Sequence, residues 1–337
     1  MKVFLYEFTR APANRGRPEF QSLQAEGAAM LAALRTDFGR IPGLEVLTLG
    51  PEAPKPGFPG PSPADEDKAF RDPARAADFS LVVAPECQGI LLTRCCWVEE
   101  VHGRLLGPSP AAVRLTADKL ALAGHWRACG LATPEVFPLR PGATTPVRFP
   151  AVLKPRDGAG SQATFLVRRQ ADLTACFEQA RIEGWEGEWV VQPFVPGRPA
   201  SVAFLTGPGE TVPLLPAAQR LSADGRFHYL GGSVPLPQPL ARRAVSLARR
   251  AVDAVAGLQG YVGVDLVLGA PEDGSGDWLI ELNPRVTTSY VGLRALAKNN
   301  LAEAMLRVAT GQPVEPQGWR PGTAVFQPDG TVQRRPE

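Results

Sequence analysis

Three oxygen-bearing side chains stand among residues that otherwise favour the interior of a sheet. Asp265 interrupts Gly260-Tyr261-Val262-Gly263-Val264-Asp265-Leu266-Val267-Leu268, and Glu281 and Asn283 lie in Trp278-Leu279-Ile280-Glu281-Leu282-Asn283-Pro284-Arg285. Strand side chains alternate, so Glu281 and Asn283 are expected on one face and Ile280 and Leu282 on the other. The intervening Pro271-Glu272-Asp273-Gly274-Ser275-Gly276 can fold the second strand back on the first. An isolated buried charge is costly, so these carboxylates need a cation or donor beside them. Two carboxylates and an amide on facing strands form a hard-oxygen site suited to Mg²⁺, which favours one or two carboxylates together with substrate phosphates.

Upstream residues fit the phosphate half of such a site. The short strand Ala151-Val152-Leu153-Lys154-Pro155 precedes Asp157-Gly158-Ala159-Gly160-Ser161. Glycines there would let backbone N–H groups approach phosphate oxygens and let the loop move over them, although surface hairpins use the same residues. The spacing is neither the phosphate loop with its terminal Gly-Lys-Ser/Thr nor the dinucleotide fingerprint. Only six of the 36 basic residues are lysines, and Lys119 and Lys154 are two of them. A lysine is a compact point charge, so its use on an apolar strand of an arginine-dominated chain invites a phosphate role, with chance as the competing explanation. Trp189-Val190-Val191-Gln192-Pro193-Phe194-Val195-Pro196-Gly197 reads as a strand leaving one lobe for the next. Its end could present backbone groups to an adenine ring, or it could be a plain core strand.

The elements that position these residues suggest an α/β unit followed by α+β lobes. Strands are expected at Lys2 to Phe8, Leu44 to Leu49 and Phe79 to Pro85, with a helix from Ser22 to Phe38 and a long loop from Gly50 to Pro63. A helix N-capped by Thr116 should run to Ala128. Strands are expected at Ala163 to Val167, Trp189 to Gln192, Ser201 to Leu205 and Thr211 to Leu215. Helices are expected at Ala171 to Glu183, Pro239 to Leu258 and Leu301 to Thr310. From Gly311 the chain is rich in Pro and Gly, with a small hairpin at Pro328-Asp329-Gly330.

Composition bounds the remaining classes. The 337 residues can form two or three domains; 44% are hydrophobic, 21% are charged, and the net charge is +2. No basic field for nucleic acid and no run long enough for a membrane helix is present. The brief apolar run Val3-Phe4-Leu5-Tyr6 is too short for a secretory signal, so a cytoplasmic protein is expected. Cys87, Cys95, Cys96, Cys129 and Cys176 are odd in number and lack C-x-x-C spacing, while the three histidines have no metal-ligand spacing. Reduced, buried thiols are the expectation.

The order Lys119, Lys154 with Gly158-Ala159-Gly160-Ser161, Gln192-Pro193-Phe194-Val195-Pro196-Gly197, Asp265, and Glu281-Leu282-Asn283-Pro284-Arg285 resembles the ATP-grasp superfamily. The resemblance implies an ATP-grasp fold, α/β and α+β, with a Rossmann-like pre-ATP-grasp domain (1–112) and two α+β lobes enclosing ATP. These would be a lobe with a glycine-rich lid (113–195) and one with the metal site (196–312), followed by a tail (313–337). It also implies that Lys119 and Lys154 touch ATP phosphates under a lid of Gly158, Ala159, Gly160 and Ser161. Gln192, Pro193, Phe194 and Val195 would border adenine, with the Pro193 carbonyl and Val195 N–H facing the ring. Asp265 and Glu281 would hold one Mg²⁺, and Glu281 with Asn283 a second, Mn²⁺ being an alternative metal. Arg285 and Lys154 are the implied catalytic residues. Where many members carry a glutamate for ribose, this chain reads Arg198-Pro199-Ala200-Ser201, so the glutamate does not carry over and Ser201 would be at best a weak substitute.

A finer resemblance rests on Glu281 to Leu293, Ala84-Pro85-Glu86 and Tyr229-Leu230-Gly231-Gly232-Ser233-Val234-Pro235. It is to ligases of the tyramine–glutamate type, which serve methanofuran-like one-carbon cofactors. It implies a carboxylate, glutamate, joined to an aromatic amine. Glu7 and Glu86 would then be able to meet a substrate ammonium, although solvated strand ends are the simpler expectation for both. The partners implied are small molecules, with no nucleic acid and no membrane; a homo-oligomer is left open. A phosphotransferase using the same ATP residues, or a nucleotide-binding protein without turnover, are the alternatives.

Overall fold

The computed structural model describes residues 1–15, 17, 20–49 and 63–336. The first unit comprises β1 (Lys2–Glu7), α1 (Gln21–Phe38), β2 (Glu45–Thr48), α2 (Pro63–Ala76), β3 (Phe79–Val83) and α3 (Ile90–Glu100). Its parallel sheet has the order β2-β1-β3. The loop expected from Gly50 to Pro63 lies outside the described residues except for Pro63, which opens α2.

The chain continues through α4 (Pro110–Ala117) and α5 (Lys119–Ala128), then β4 (Phe137–Leu139), β5 (Ala151–Pro155), β6 (Phe165–Val167), α6 (Leu173–Ile182) and β7 (Trp189–Pro193). These strands form an antiparallel sheet ordered β4-β7-β5-β6. The last part holds β8 (Arg198–Thr206), β9 (Thr211–Pro213), β10 (Ala217–Leu221), β11 (Tyr229–Val234), α7 (Gln238–Asp253), β12 (Gly260–Leu268) and β13 (Trp278–Asn283). It closes with α8 (Ser289–Leu296), α9 (Leu301–Ala309), β14 (Thr323–Phe326) and β15 (Val332–Arg335). The large sheet runs β13-β12-β8-β10-β11-β14-β15, with β9 paired on β8. Among the described residues no helix is long and apolar enough to cross a membrane.

The period of two along β1 explains how the first sheet is held. Val3 and Leu5 enter a core shared with α1, α8, α9 and Phe326, whereas Phe4 and Tyr6 enter one shared with α3 and the four-stranded sheet. A strand buried on both faces reads as a continuous apolar run, as β1 and β3 do. The third core lies between α7 and β12: Ala244, Ala248, Ala251 and Val252 form the buried face of α7 at helical spacing.

Two expectations are corrected. Thr116 does not cap a helix: it lies in α4 and donates its hydroxyl back to Ala112 O at 2.8 Å. The chain breaks at Asp118, whose extended backbone ends α4 and whose Oδ1 accepts from Leu120 N at 3.0 Å and Ala121 N at 3.1 Å. Residues 313–337 are likewise more than a tail. β14 pairs with β11 and β15 with β14, so this segment supplies strands to the large sheet, and Phe326 is fully buried. The hairpin expected at Pro328-Asp329-Gly330 is present, and what the Pro- and Gly-rich pattern does not show is its pairing with β11.

Candidate active site

The acidic centre is built on the β12–β13 hairpin. Asp265 stands directly opposite Glu281, and Gly263 opposite Asn283, in an antiparallel ladder. The turn is closed by Asp277, which accepts from Gly269 N at 2.9 Å and from Arg243 Nε at 3.0 Å. Between Asp265 and Leu266 the register shifts, because Leu266 pairs with Leu279 while Asp265 pairs with Glu281. Ile280 is therefore an extra, bulged residue, and it lines the cavity together with Glu281. Simple alternation puts Ile280 with Leu282 on the core face; the bulge instead sends Leu279 and Leu282 to the core.

The acids are not equivalent. Asn283 Nδ2 donates to Asp265 Oδ2 at 3.0 Å, and Gln219 Nε2 donates to Oδ1 at 2.8 Å. Burial, together with the adjacent charge of Glu281, raises the Asp265 carboxyl above its usual range. Burial pushes Glu281 upward as well, but Lys119 and Lys154 outweigh it and hold Glu281 low. Among the described residues no group of three or more His, Cys, Asp or Glu is placed to hold a metal ion. Two carboxylates and an amide are instead the sparse oxygen set that Mg²⁺ accepts when phosphates complete its shell, and a divalent cation would relieve the raised Asp265.

The break at Asp118 puts Lys119 at the first position of α5. Its Nζ donates to Gly158 O at 2.6 Å and lies 3.4 Å from Glu281 Oε2. Asp118 is itself held by Arg156, whose Nη2 reaches Oδ2 at 2.6 Å. Lys154 is buried on β5, and burial, aided by Lys119, depresses its ammonium to about 8 against the pull of Glu281 and Asp265. A desolvated ammonium of this kind gains from a bound anion.

The glycine loop lies across the cavity and touches three other elements. Besides the Lys119 bond, Ser161 Oγ donates to Phe227 O at 2.8 Å. Gly160 has φ +64° and packs so closely on α1 that a Cβ there would sit 2.5 Å from Leu23 Cδ2. The Phe194 and Phe227 rings stack with centroids 6.2 Å apart. With Val152, Val195, Val267 and Ile280 they make one end of the cavity apolar.

The cavity is about 630 Å³ and brings together Lys119, Lys154, Gly158, Ala159, Gly160, Ser161, Gln192, Phe194, Val195, Asp265, Glu281, Asn283 and Arg285. Pro193 is not in its wall; it pairs with Ala151 in the β5–β7 ladder. Ser201 and Pro199 line the cavity, Ser201 directly across the ladder from Asp265. Arg285 Nη2 donates to Glu86 Oε2 at 3.0 Å, and Nε lies 2.9 Å from Oε1 without hydrogen-bond alignment. Glu7 and Glu86 are not solvated strand ends: their exposures are 5% and 6%. Glu7 accepts from Thr9 Oγ1 at 2.8 Å and Arg10 N at 2.9 Å, and neither acid lines the cavity.

An ATP-grasp domain model matches residues 116–289, more than half of the chain, and a pre-ATP-grasp domain model matches residues 50–113. The chain belongs to the ATP-grasp family. It is 27% identical over 239 residues to tyramine--L-glutamate ligase of Methanocaldococcus jannaschii, a match covering 70% of this chain and 64% of that protein. The match thus spans just under two thirds of that relative. Glutathione synthetase of Bordetella parapertussis is 27% identical over 303 residues, covering 84% of this chain and 89% of the synthetase. The crystal structure of an ATP-grasp superfamily protein from Archaeoglobus fulgidus superposes with a TM-score of 0.71 at 24% identity, covering 97% and 92% of the two chains. The ATP-grasp fold is therefore that of the whole chain, N-terminal unit included.

Sequence reasoning misses several residues of the ATP-grasp cavity. Gln219 lies on β10, a strand that the residue pattern does not mark, and reaches Asp265 only through sheet order. Glu26 and Thr288 come together from α1 and the start of α8, 262 residues apart, with Thr288 Oγ1 donating to Glu26 Oε2 at 2.5 Å. Nothing in the local pattern around Glu26 separates it from an ordinary solvated helix acid.

Proposed function

We propose that the chain is an ATP-dependent ligase that joins a carboxylate to an amine through an acyl phosphate. The observation that carries this reading is the convergence of two lysines, a glycine loop, three oxygen ligands and an anchored arginine on one cavity. Lys119 and Lys154 are assigned to ATP phosphates, Asp265, Glu281 and Asn283 to Mg²⁺, and Phe194 and Val195 to adenine. Mg²⁺, when bound, would neutralise phosphate charge and orient the γ-phosphoryl group. The protein contributes positioning and fixed charge, which phosphoryl transfer mainly requires. A substrate carboxylate attacks the γ-phosphate, ADP leaves, and an amine then displaces phosphate from the acyl carbon. Arg285, held by Glu86, is placed to stabilise the negative charge of both steps, and the loop at 158–161 keeps water from the acyl phosphate.

The similarity to tyramine--L-glutamate ligase supports glutamate as the carboxylate and an aromatic amine as acceptor. The test is an ADP-release screen with Mg²⁺-ATP, pairing amino acids with tyramine, tyrosine and related amines, with products read by mass. The expected result is release that needs both substrates and a product linked by an amide bond. A stable phosphorylated substrate would make the chain a phosphotransferase. Failure of every glutamate pair would remove the finer assignment.

A further inference from the structure

Glu26 of α1 and Arg285 both line the cavity, so the N-terminal unit contributes to its wall. Glu26 Oε2 accepts from Thr288, while its Oε1 has no hydrogen-bond donor among the described residues. The other acids of the wall are better satisfied: Glu281 faces Lys119, and Asp265 receives two amide donors. Arg285 acts on Glu26 only through space: among the described residues no hydrogen bond or ion pair joins the two, and the guanidinium donates to Glu86 and to Val286 O. A Cβ at Gly27 would sit 2.3 Å from Glu7 Oε1, so glycine here leaves room for the buried Glu7 side chain beside α1. A half-buried carboxylate with one open oxygen beside an arginine is complementary to a molecule carrying an ammonium and a carboxylate a few atoms apart.

We propose that Glu26 is the ammonium-binding residue of an amino-acid substrate whose carboxylate lies toward Arg285. The proposal rests on the ligase reading above and adds the subsite that reads the amino group. Burial raises the Glu26 carboxyl, opposed by Thr288 and Arg285, which agrees with a group lacking its counter-charge. Glu7 and Glu86, the acids at the ends of N-terminal strands, are occupied elsewhere and do not line the cavity.

The test is calorimetric titration of L-glutamate and of glutarate, its analogue without the amino group, into the full chain and its Glu26→Gln variant. Titrations are run with Mg²⁺, with and without a non-hydrolysable ATP analogue. The wild type should bind L-glutamate at least about 30-fold more tightly than glutarate, the scale for one buried charged partner. Glu26→Gln should lose that preference while its affinity for glutarate and for nucleotide, and its melting temperature, stay unchanged. Equal affinity of the wild type for both acids, no L-glutamate binding at all, or a preference surviving in Glu26→Gln would each overturn the proposal. Absence of nucleotide binding with a Glu26-dependent preference intact would remove the ligase reading alone.

Discussion

Individual carboxylates in this molecule are distinguished by what neutralises them. Asp265 and Glu281 face each other across one ladder, and their charges are tolerable together only beside the lysines and a cation. Asp265→Asn or Glu281→Gln should therefore lower ADP release at least about 10³-fold, the upper scale for losing one electrostatic stabiliser. The unfolding midpoint in urea should hold or rise for Asp265→Asn, which removes a carboxyl that burial already penalises. It should fall for Glu281→Gln, which leaves Lys119 and the buried Lys154 without their counter-charge. Normal ADP release from either variant would refute the metal assignment. Glu7 makes a different prediction, about stability. Burial, opposed by bonds from Thr9 and Arg10, lifts its carboxyl from 4.5 to about 7. The folded value is above the unfolded one, so its contribution is full below about pH 4.5 and is lost as pH rises to about 7. Glu7→Gln should flatten the stability profile across that window and stabilise the protein at pH 8 by up to about 3 kcal/mol. Urea unfolding at pH 5 and pH 8 measures it, and an unchanged pH slope would count against a buried, protonated Glu7.

Elements decide which parts of this site are recognisable in advance. The hairpin bearing Asp265, Glu281 and Asn283 is legible because oxygen side chains break apolar strand runs at adjacent places in the chain. The bulge at Ile280 is not, since one inserted residue leaves no mark in a run of apolar types. Lys119 is legible, but the two-helix arrangement that aims it is hidden: Asp118 reads as an ordinary helix residue until its side chain is seen capping α5. β10 and β11 are equally hidden, because Ala217–Leu221 is mixed in character and Gly231-Gly232 reads as a turn. Those glycines are packing residues; a Cβ at Gly231 would sit 2.1 Å from Phe326 O on β14. The glycine loop gives the prediction at this scale. Gly160→Ala would put a methyl group on Leu23 at a left-handed backbone position. It should raise the KM for ATP about tenfold, equivalent to roughly 1.4 kcal/mol. Global stability should change little, as read by thermal unfolding beside ATP-dependence assays; an unaltered KM would show that the contact with α1 does not matter.

At the scale of the whole chain, the units named from sequence do not have separate cores. Side chains of β1 and α1 share one apolar cluster with α8, α9 and Phe326. Asp37 of α1 receives Arg294 Nε at 2.9 Å, Tyr290 Oη at 2.9 Å and Arg294 Nη2 at 2.6 Å, all from α8. Sequence patterns report local period and so mark elements well, but they carry no signal for which distant face an element meets. The segment after residue 312 shows the consequence. Its deletion would expose the edge of β11 and empty the site of Phe326. Loss of a fully buried Phe alone costs about 3–5 kcal/mol. A chain ending at residue 312 should be insoluble or lack a cooperative unfolding transition, and a soluble truncation with native melting would refute this.

Leu23 and Glu26 lie three residues apart on α1, hence on one face of a single helical turn. The glycine loop rests on Leu23, and Glu26 lines the cavity. The loop contact and the cavity wall thus bear on the same 4.5 Å or so of helix. On the ligase reading proposed above, a disturbed turn should show up as nucleotide hydrolysis that no longer waits for a substrate.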